Sequence, residues 1–205
     1  PRVRDRSRFA VEAREQGPVL RARLGLGAAF VVGFVGTVRP HKGLSTLAES
    51  VGRLGGDAHL LVVGDLGDRS DGAELAIRSR GRVVTTPGPP IAELGPVLGA
   101  CDVVAVPQSR SSEAMYQSPA KLLDALAAGR AVVAGDVGDA AELLGDAGRL
   151  VPPDDPIALA NMLAELRDDP AARARLEEAA LARTAQAFSL DHWRATIADV
   201  IVPVL

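Results

Sequence analysis

The sequence predicts an α/β protein: a doubly wound parallel sheet with helices on both faces and extra helices at its C-terminal end. Three observations lead there. Short, almost wholly apolar runs recur along the chain, and such runs form strands buried on both faces of a parallel sheet. Between them lie segments with apolar residues at helical spacing, punctuated by Gly and Pro. Hydrophobic residues make up 47% of the chain but aromatic ones only 3%, so the core is built from Ala, Val, Leu and Gly, which suits close packing of helices on a sheet. At 205 residues the chain is long enough to bury such a core without staples.

Residues 1–29 carry no clear strand; a short helix is expected near 18–24, ahead of Gly25 and Gly27. This segment reads as a linker entering from an upstream domain. The run FVVGFVG, 30–36, is the first strand. Leu44, Leu47, Val51 and Leu54 at helical spacing define a helix over 44–54, ended by Gly55 and Gly56. HLLVVG, 59–64, is the second strand, and a helix over 72–80 leads to a third at 82–86. The breaker PGPP (87–90) precedes a short helix at 91–99 and a strand at 102–106. A polar loop, 107–117, is followed by a helix over 119–128 and a strand at 131–134. A short helix near 139–145 and a last strand at 148–151 complete a Rossmann-like alternation. Helices follow at 156–167, 170–187 and 190–200; the first two open with Asp-Pro, an N-cap followed by the imino acid suited to the first helical position. The expected division is 1–29 linker, 30–188 binding domain, and 189–205 C-terminal helix and tail.

Charge and cysteine content narrow the function classes. Residues 1–24 hold seven Arg against three acidic residues, while the remainder has 16 basic against 23 acidic. A mildly acidic body without aromatic and basic residues interleaved carries no nucleic-acid footprint. The single cysteine, Cys101, excludes an intramolecular disulfide framework and fits a reducing, cytoplasmic location. No apolar run approaches the roughly 18 residues that span a bilayer, and residues 1–24 lack the apolar stretch of a signal peptide. His41, His59 and His192 share no metal-ligand spacing, so no metal is expected. Cys101 reads as a small buried group, Asp154 and Asp155 as loop and cap, and Phe188 and Trp193 as anchors for the last helix.

In open parallel sheets ligands bind beyond the carboxyl ends of the strands, where the strand order reverses. Two loops there stand out. The first, GTVRPHKG from Gly36 to Gly43, carries Arg39, His41 and Lys42 directly off a strand. It reads either as an anion grip, with glycine admitting a ligand close to backbone, or as a solvated basic turn. It is neither a P-loop nor a dinucleotide fingerprint, since the glycine spacing and the order of Lys42 and Gly43 are wrong for both. The second, YQSPAKLLDALAAG from Tyr116 to Gly129, predicts a helix with Ser118 as N-cap and Pro119 at the first position. Its free N–H groups and positive dipole end then face the ligand side. Lys121 lies in that first turn, where a cation is locally unfavourable by about 0.3–1 kcal/mol; a bound anion would offset this. Asp124, one turn on, reads as a partner for Lys121 or as an acceptor for a ribose diol.

These segments, together with LLVVGD, CDVVAVPQS and GRLVPPDDPIALANML, resemble the C-terminal domain of GT-B-fold retaining glycosyltransferases, group 1 or family 4 type. The resemblance covers about 30–188 and includes sucrose-phosphate synthases and bacterial mannosyl- and glucosyltransferases. It implies a nucleoside-diphosphate-sugar donor, an acceptor domain upstream, no metal and no other cofactor. Membrane contact, if any, would come through the missing half. Lys42 and a nearby arginine, Arg39, would grip the diphosphate, with Gly36 and Thr37 alongside. Gln117, Ser118, Lys121 and Leu122 at the helix start would bind the same phosphates. Asp124 would hold the ribose, Asp65 would line the site, and Pro87 and Gly88 would present backbone to the base edge. Glu113 would meet sugar hydroxyls.

The chain departs from the family pattern in three places. Thr37 stands where an arginine is common, Asp124 where glutamate is usual, and Tyr116 where many members carry a second glutamate. Those departures keep open a non-catalytic nucleotide-sugar-binding or scaffold module, and the shared two-domain fold keeps open a sugar-nucleotide epimerase fragment.

Overall fold

The structure, a computed structural model, describes residues 7–66, 69–90, 93–116 and 118–201. Six strands form one sheet: β1 (Phe30–Val35), β2 (Ala58–Val63), β3 (Val83–Thr86), β4 (Val103–Val106), β5 (Ala131–Gly135) and β6 (Arg149–Val151). Every pairing is parallel, and the order is β3-β2-β1-β4-β5-β6. The chain starts in the middle, winds outwards to β3, then returns past β1 to build the other half. The order therefore reverses between β1 and β4, the place where a crevice opens in sheets of this kind.

Successive residues of each strand face opposite layers. Val31, Leu61, Val104, Val106 and Val132 pack beneath α4 (Leu94–Gly99) and α6 (Ala120–Ala127), whose Leu98, Leu122 and Leu126 are buried there. Val32, Phe34, Leu60, Val62, Val103 and Val133 pack against α2 (Leu44–Leu54) and α8 (Pro156–Asp168), through Leu47, Val51, Leu159 and Leu163. This is the doubly wound α/β sheet with helices on both faces that the apolar runs predict. Between β2 and β3 lies α3 (Arg69–Arg78), and α7 (Ala140–Leu144) joins β5 to β6.

The N-terminal segment differs from the expected short helix. A single helix, α1, runs from Ser7 to Arg23, and its Phe9 and Ala13 are buried in the same core as α4. The contact is made possible by small residues: a side chain at Gly17 would strike the backbone of Gly99, one at Gly99 would strike Ala13, and one at Gly95 would strike Glu12. The far end of α1 is tied to the sheet by Arg21, which pairs with Asp102 at 3.1 Å. Asp102 in turn accepts a 2.8 Å hydrogen bond from the Val31 N–H. The arginine-rich composition hides this docking because only a narrow stripe of small and apolar residues is buried.

Past β6 the chain is helical, as expected. Asp155 caps α8 by accepting from the Ile157 and Ala158 N–H groups, and Asp169 caps α9 (Pro170–Arg183) by accepting from Ala172. A π-helical turn, Thr184–Phe188, leads into α10 (Leu190–Ile201). The anchoring expected of the Trp193 side chain lies outside the described residues.

Candidate functional site

The loops at the carboxyl end of the sheet are held together by glycine. Gly36 follows β1 with φ +132, and a side chain at Gly64, after β2, would collide with the Gly36 carbonyl. Gly88, after β3, lies 3.5 Å from the Gly64 Cα, measured from where its own Cβ would be. Backbone rather than side chains thus floors this end of β1, β2 and β3. A cavity of about 380 Å³ opens above it, lined by Asp65, Leu66, Thr85, Thr86, Pro87 and Gly88 among others. Asp65, Pro87 and Gly88, singled out from the sequence, therefore share one wall of space.

The loop from β1 turns through a short 3₁₀ segment, Pro40–Lys42, closed by Gly43 in the left-handed region. Only glycine fits there, because a Cβ would run into the Pro107 carbonyl. The Ser109 N–H donates to the His41 carbonyl at 3.1 Å. The loops leaving β1 and β4 are stitched across the reversal point.

Into this junction projects α6. Its start differs from the expected cap: Pro119 occupies the cap position in extended conformation, without a side-chain cap, and Ser118 is exposed beside it. The helix begins one residue later than the Ser-Pro pair predicts because Pro119 keeps extended ψ. The Leu122 N–H donates to the Pro119 carbonyl at 2.9 Å and the Leu122 side chain is wholly buried. Gln117 lies outside the described residues.

Lys121 reaches from this first turn to the end of β1. Its ammonium lies 4.6 Å over the Phe34 ring, a favourable cation–π placement, and 2.8 Å from where a Cβ on Gly36 would stand. Burial, and next the charge of Lys42, push its pKa down to about 8. Burial also lowers the pKa of Lys42. The chain has 23 Lys and Arg, yet only two are lysines, and the fold brings both to this crevice. That count was in the sequence and is the signal a motif-by-motif reading misses.

Asp124, one helical turn further, is buried at 5% exposure. Two more buried polar atoms lie on these loops, of which His41 was weighed from the sequence and Gln108 was not. The Nε2 atoms of His41 and Gln108 are buried without a hydrogen-bond partner, and Gln108, two residues past β4, is only 2% exposed. Buried polar groups are normally satisfied, and these two lack a protein partner. The sequence hint for Gln108 was slight: one amide directly after an apolar strand and a proline.

The expected polar loop 107–117 contains a four-residue helix, α5 (Ser112–Met115), capped by the Ser111 hydroxyl. Glu113 is exposed on it. Its carboxyl is held below the usual range by its own backbone N–H, then by the Ser111 and Ser112 hydroxyls, with the His41 charge acting in the same sense. Arg39 and Thr37 are also exposed. Arg39 lines a cavity of about 390 Å³, with Val38, Leu44, Glu74 and Leu75 among its walls. Cys101 is buried and burial raises its thiol to about 12, which removes it as a nucleophile. Among the described residues no His, Cys, Asp and Glu group is placed to hold a metal, and no helix is long and apolar enough to cross a membrane.

Residues 29–169 fit the family model for Glycosyl transferases group 1. The chain belongs to this family. It is 35% identical over 198 residues to a D-inositol 3-phosphate glycosyltransferase from Corynebacterium glutamicum, covering 88% of this chain and 45% of that protein. Among solved structures, HepE from Anabaena in complex with UDP and glucose is similar at TM-score 0.79 and 25% identity, covering 92% of this chain and 52% of the other. Sucrose-phosphate synthase from Thermosynechococcus elongatus is similar at TM-score 0.73 and 27% identity, with coverages of 90% and 48%. The chain thus spans about half the length of the relatives it matches, and its α/β fold is that of GT-B glycosyltransferases.

Proposed function

We propose that this group 1 glycosyltransferase chain is the donor-binding half of a retaining enzyme, which moves a sugar from a nucleoside-diphosphate sugar to an acceptor hydroxyl. The observation that carries the reading is the meeting of both lysines at the β1/β4 reversal, against the uncapped start of α6. Two cations brought together and partly stripped of water are costly. Shifting Lys121 from an ordinary lysine to about 8 corresponds to about 3 kcal/mol against its charged form. A diphosphate placed between Lys42 and Lys121 reverses that cost.

The chemistry then follows from charge. As the sugar leaves its phosphate, negative charge grows on the nucleoside diphosphate. Fixed cations and a helix N-terminus already aimed at it stabilise that charge without reorganising. Lys121 and Lys42 do this work, without a metal. In this reading Asp124 accepts from ribose hydroxyls, the cavity at Pro87 and Gly88 receives the base, and Glu113, His41 and Gln108 meet the sugar. That the HepE structure holds UDP and glucose supports UDP as the donor nucleotide. The acceptor site and the second wall of the cleft belong to an N-terminal domain, so this half alone binds donor and transfers little.

Calorimetric titration with UDP, GDP, ADP and NAD tests the reading. Binding of one nucleoside diphosphate, weakened tenfold or more (about 1.4 kcal/mol) by Lys42→Ala and by Lys121→Ala, is the expected result. Binding of none, by this chain and by a full-length protein containing it, would favour a scaffold that keeps the fold without the activity.

A further inference from the structure

We propose that Asp154 is a positioning residue for the sugar end of the donor site: through the Arg110 N–H it sets where α5 presents Glu113. The inference rests on the donor-binding reading and adds to it a residue of a different loop. Asp154 lies between β6 and α8. Among the described residues, it and Arg80 are the two other than glycine with positive φ, +60 at Asp154. That left-handed region disfavours a side chain, although aspartate tolerates it better than most. The helix that follows already has its cap, in Asp155. The Asp154 carboxylate reaches instead to the loop after β4, accepting from the Arg110 N–H at 3.0 Å. A side chain held in an unfavourable backbone region points to a function, and what Arg110 leads into says which. The Ser109 N–H donates to the His41 carbonyl at 3.1 Å. Successive amides are thus tied to the loops after β1 and β6, in opposite directions along the sheet. Ser111 then caps α5. Beneath this loop a Cβ on Gly135 would stand 2.7 Å from the Gln108 carbonyl oxygen, and one on Gly138 3.0 Å from those of Ala114 and Met115. Ala114 is wholly buried, while Glu113 is exposed on a helix that packs against the Pro40–Lys42 turn. Four residues have no helical stability of their own, so these ties set the orientation of α5, and Asp154 supplies the one from the β6 side.

The test compares the unaltered chain with Asp154→Gly and Asp154→Asn. Glycine adopts this φ without penalty and removes the carboxylate, so that variant folds; asparagine keeps an acceptor oxygen and tolerates the same region. Amide exchange at Arg110 is followed by NMR, and calorimetry compares UDP, GDP and ADP, each beside its glucose conjugate. In Asp154→Gly the Arg110 amide should exchange at least tenfold faster. Affinity for the nucleoside diphosphate should stay within twofold, while the chain's preference for the glucose conjugate over it falls at least fivefold. Asp154→Asn should restore both the slow exchange and the preference. Unchanged exchange at Arg110, or a glycine variant that loses both ligands alike, would overturn the proposal. A chain that binds no nucleotide removes the donor reading and the sugar contact with it, whereas a preference that survives Asp154→Gly removes the positioning role alone.

Discussion

Gly36 and Lys121 form one unit at the residue scale. The glycine is favoured by its φ of +132, and a Cβ there would displace the flexible Lys121 ammonium, 2.8 Å away. Gly36→Ala is therefore expected to cost about 1–2 kcal/mol in stability, measured by urea denaturation, and to weaken UDP binding about tenfold by displacing Lys121. The lysine also sets a pH dependence. Its folded pKa, about 8, lies below the unfolded value of about 10.4, so between these the unfolded chain binds more protons and stability rises with pH. Relative to Lys121→Met, the wild-type chain should gain up to about 3 kcal/mol from pH 8 to pH 10.4, and lose it as pH falls back through 8. Denaturation curves of both proteins across that range measure the difference. Lys121 was legible in the sequence because a cation in a first helical turn is out of place. The position of Arg39 was not, since a basic loop of this length leaves each side chain free to turn either way.

Among the elements, α1 and α6 are the instructive pair. Helix α6 was legible from its Ser-Pro start and Gly129 stop; only its cap was misassigned, by one residue, because local preference cannot tell whether Pro119 enters the helix or precedes it. Helix α1 was legible at its C-terminal end alone. Its burial depends on Gly17, Gly95 and Gly99, and close approach of two helices through glycine leaves no periodic apolar pattern to read. Gly99→Val should therefore destabilise the chain by at least about 2 kcal/mol, read from the denaturation midpoint, because the added side chain meets Ala13 backbone. Asp155→Ala and Asp169→Ala should each cost about 1 kcal/mol and leave UDP affinity unchanged, since the caps lie on α8 and α9 and not on the crevice.

For the whole molecule, the order of strands decides where function lies. Alternating apolar runs and helices implied a parallel sheet, and the sequence alone already pointed at the loops beyond its carboxyl ends. What it did not contain was the pairing order, because which strand lies beside β1 is settled by packing over long separations rather than by local residues. Once β1 and β4 are neighbours, Lys42 after the one comes close enough for its charge to act on Lys121 beyond the other, which is the pairing the proposed function uses.

That convergence can be observed directly. With only Lys42 and Lys121 in the chain, incorporation of lysine carrying ¹³C at Cε yields two NMR signals whose pH titrations report each amine. One signal, assigned by Lys121→Arg, is expected to titrate near pH 8 in the free chain and above pH 10 when saturated with UDP, while the Lys42 signal moves in the same direction. Two signals that both titrate near the ordinary value of about 10.4, and that ignore UDP, would contradict the lysine cradle on which the proposed function stands.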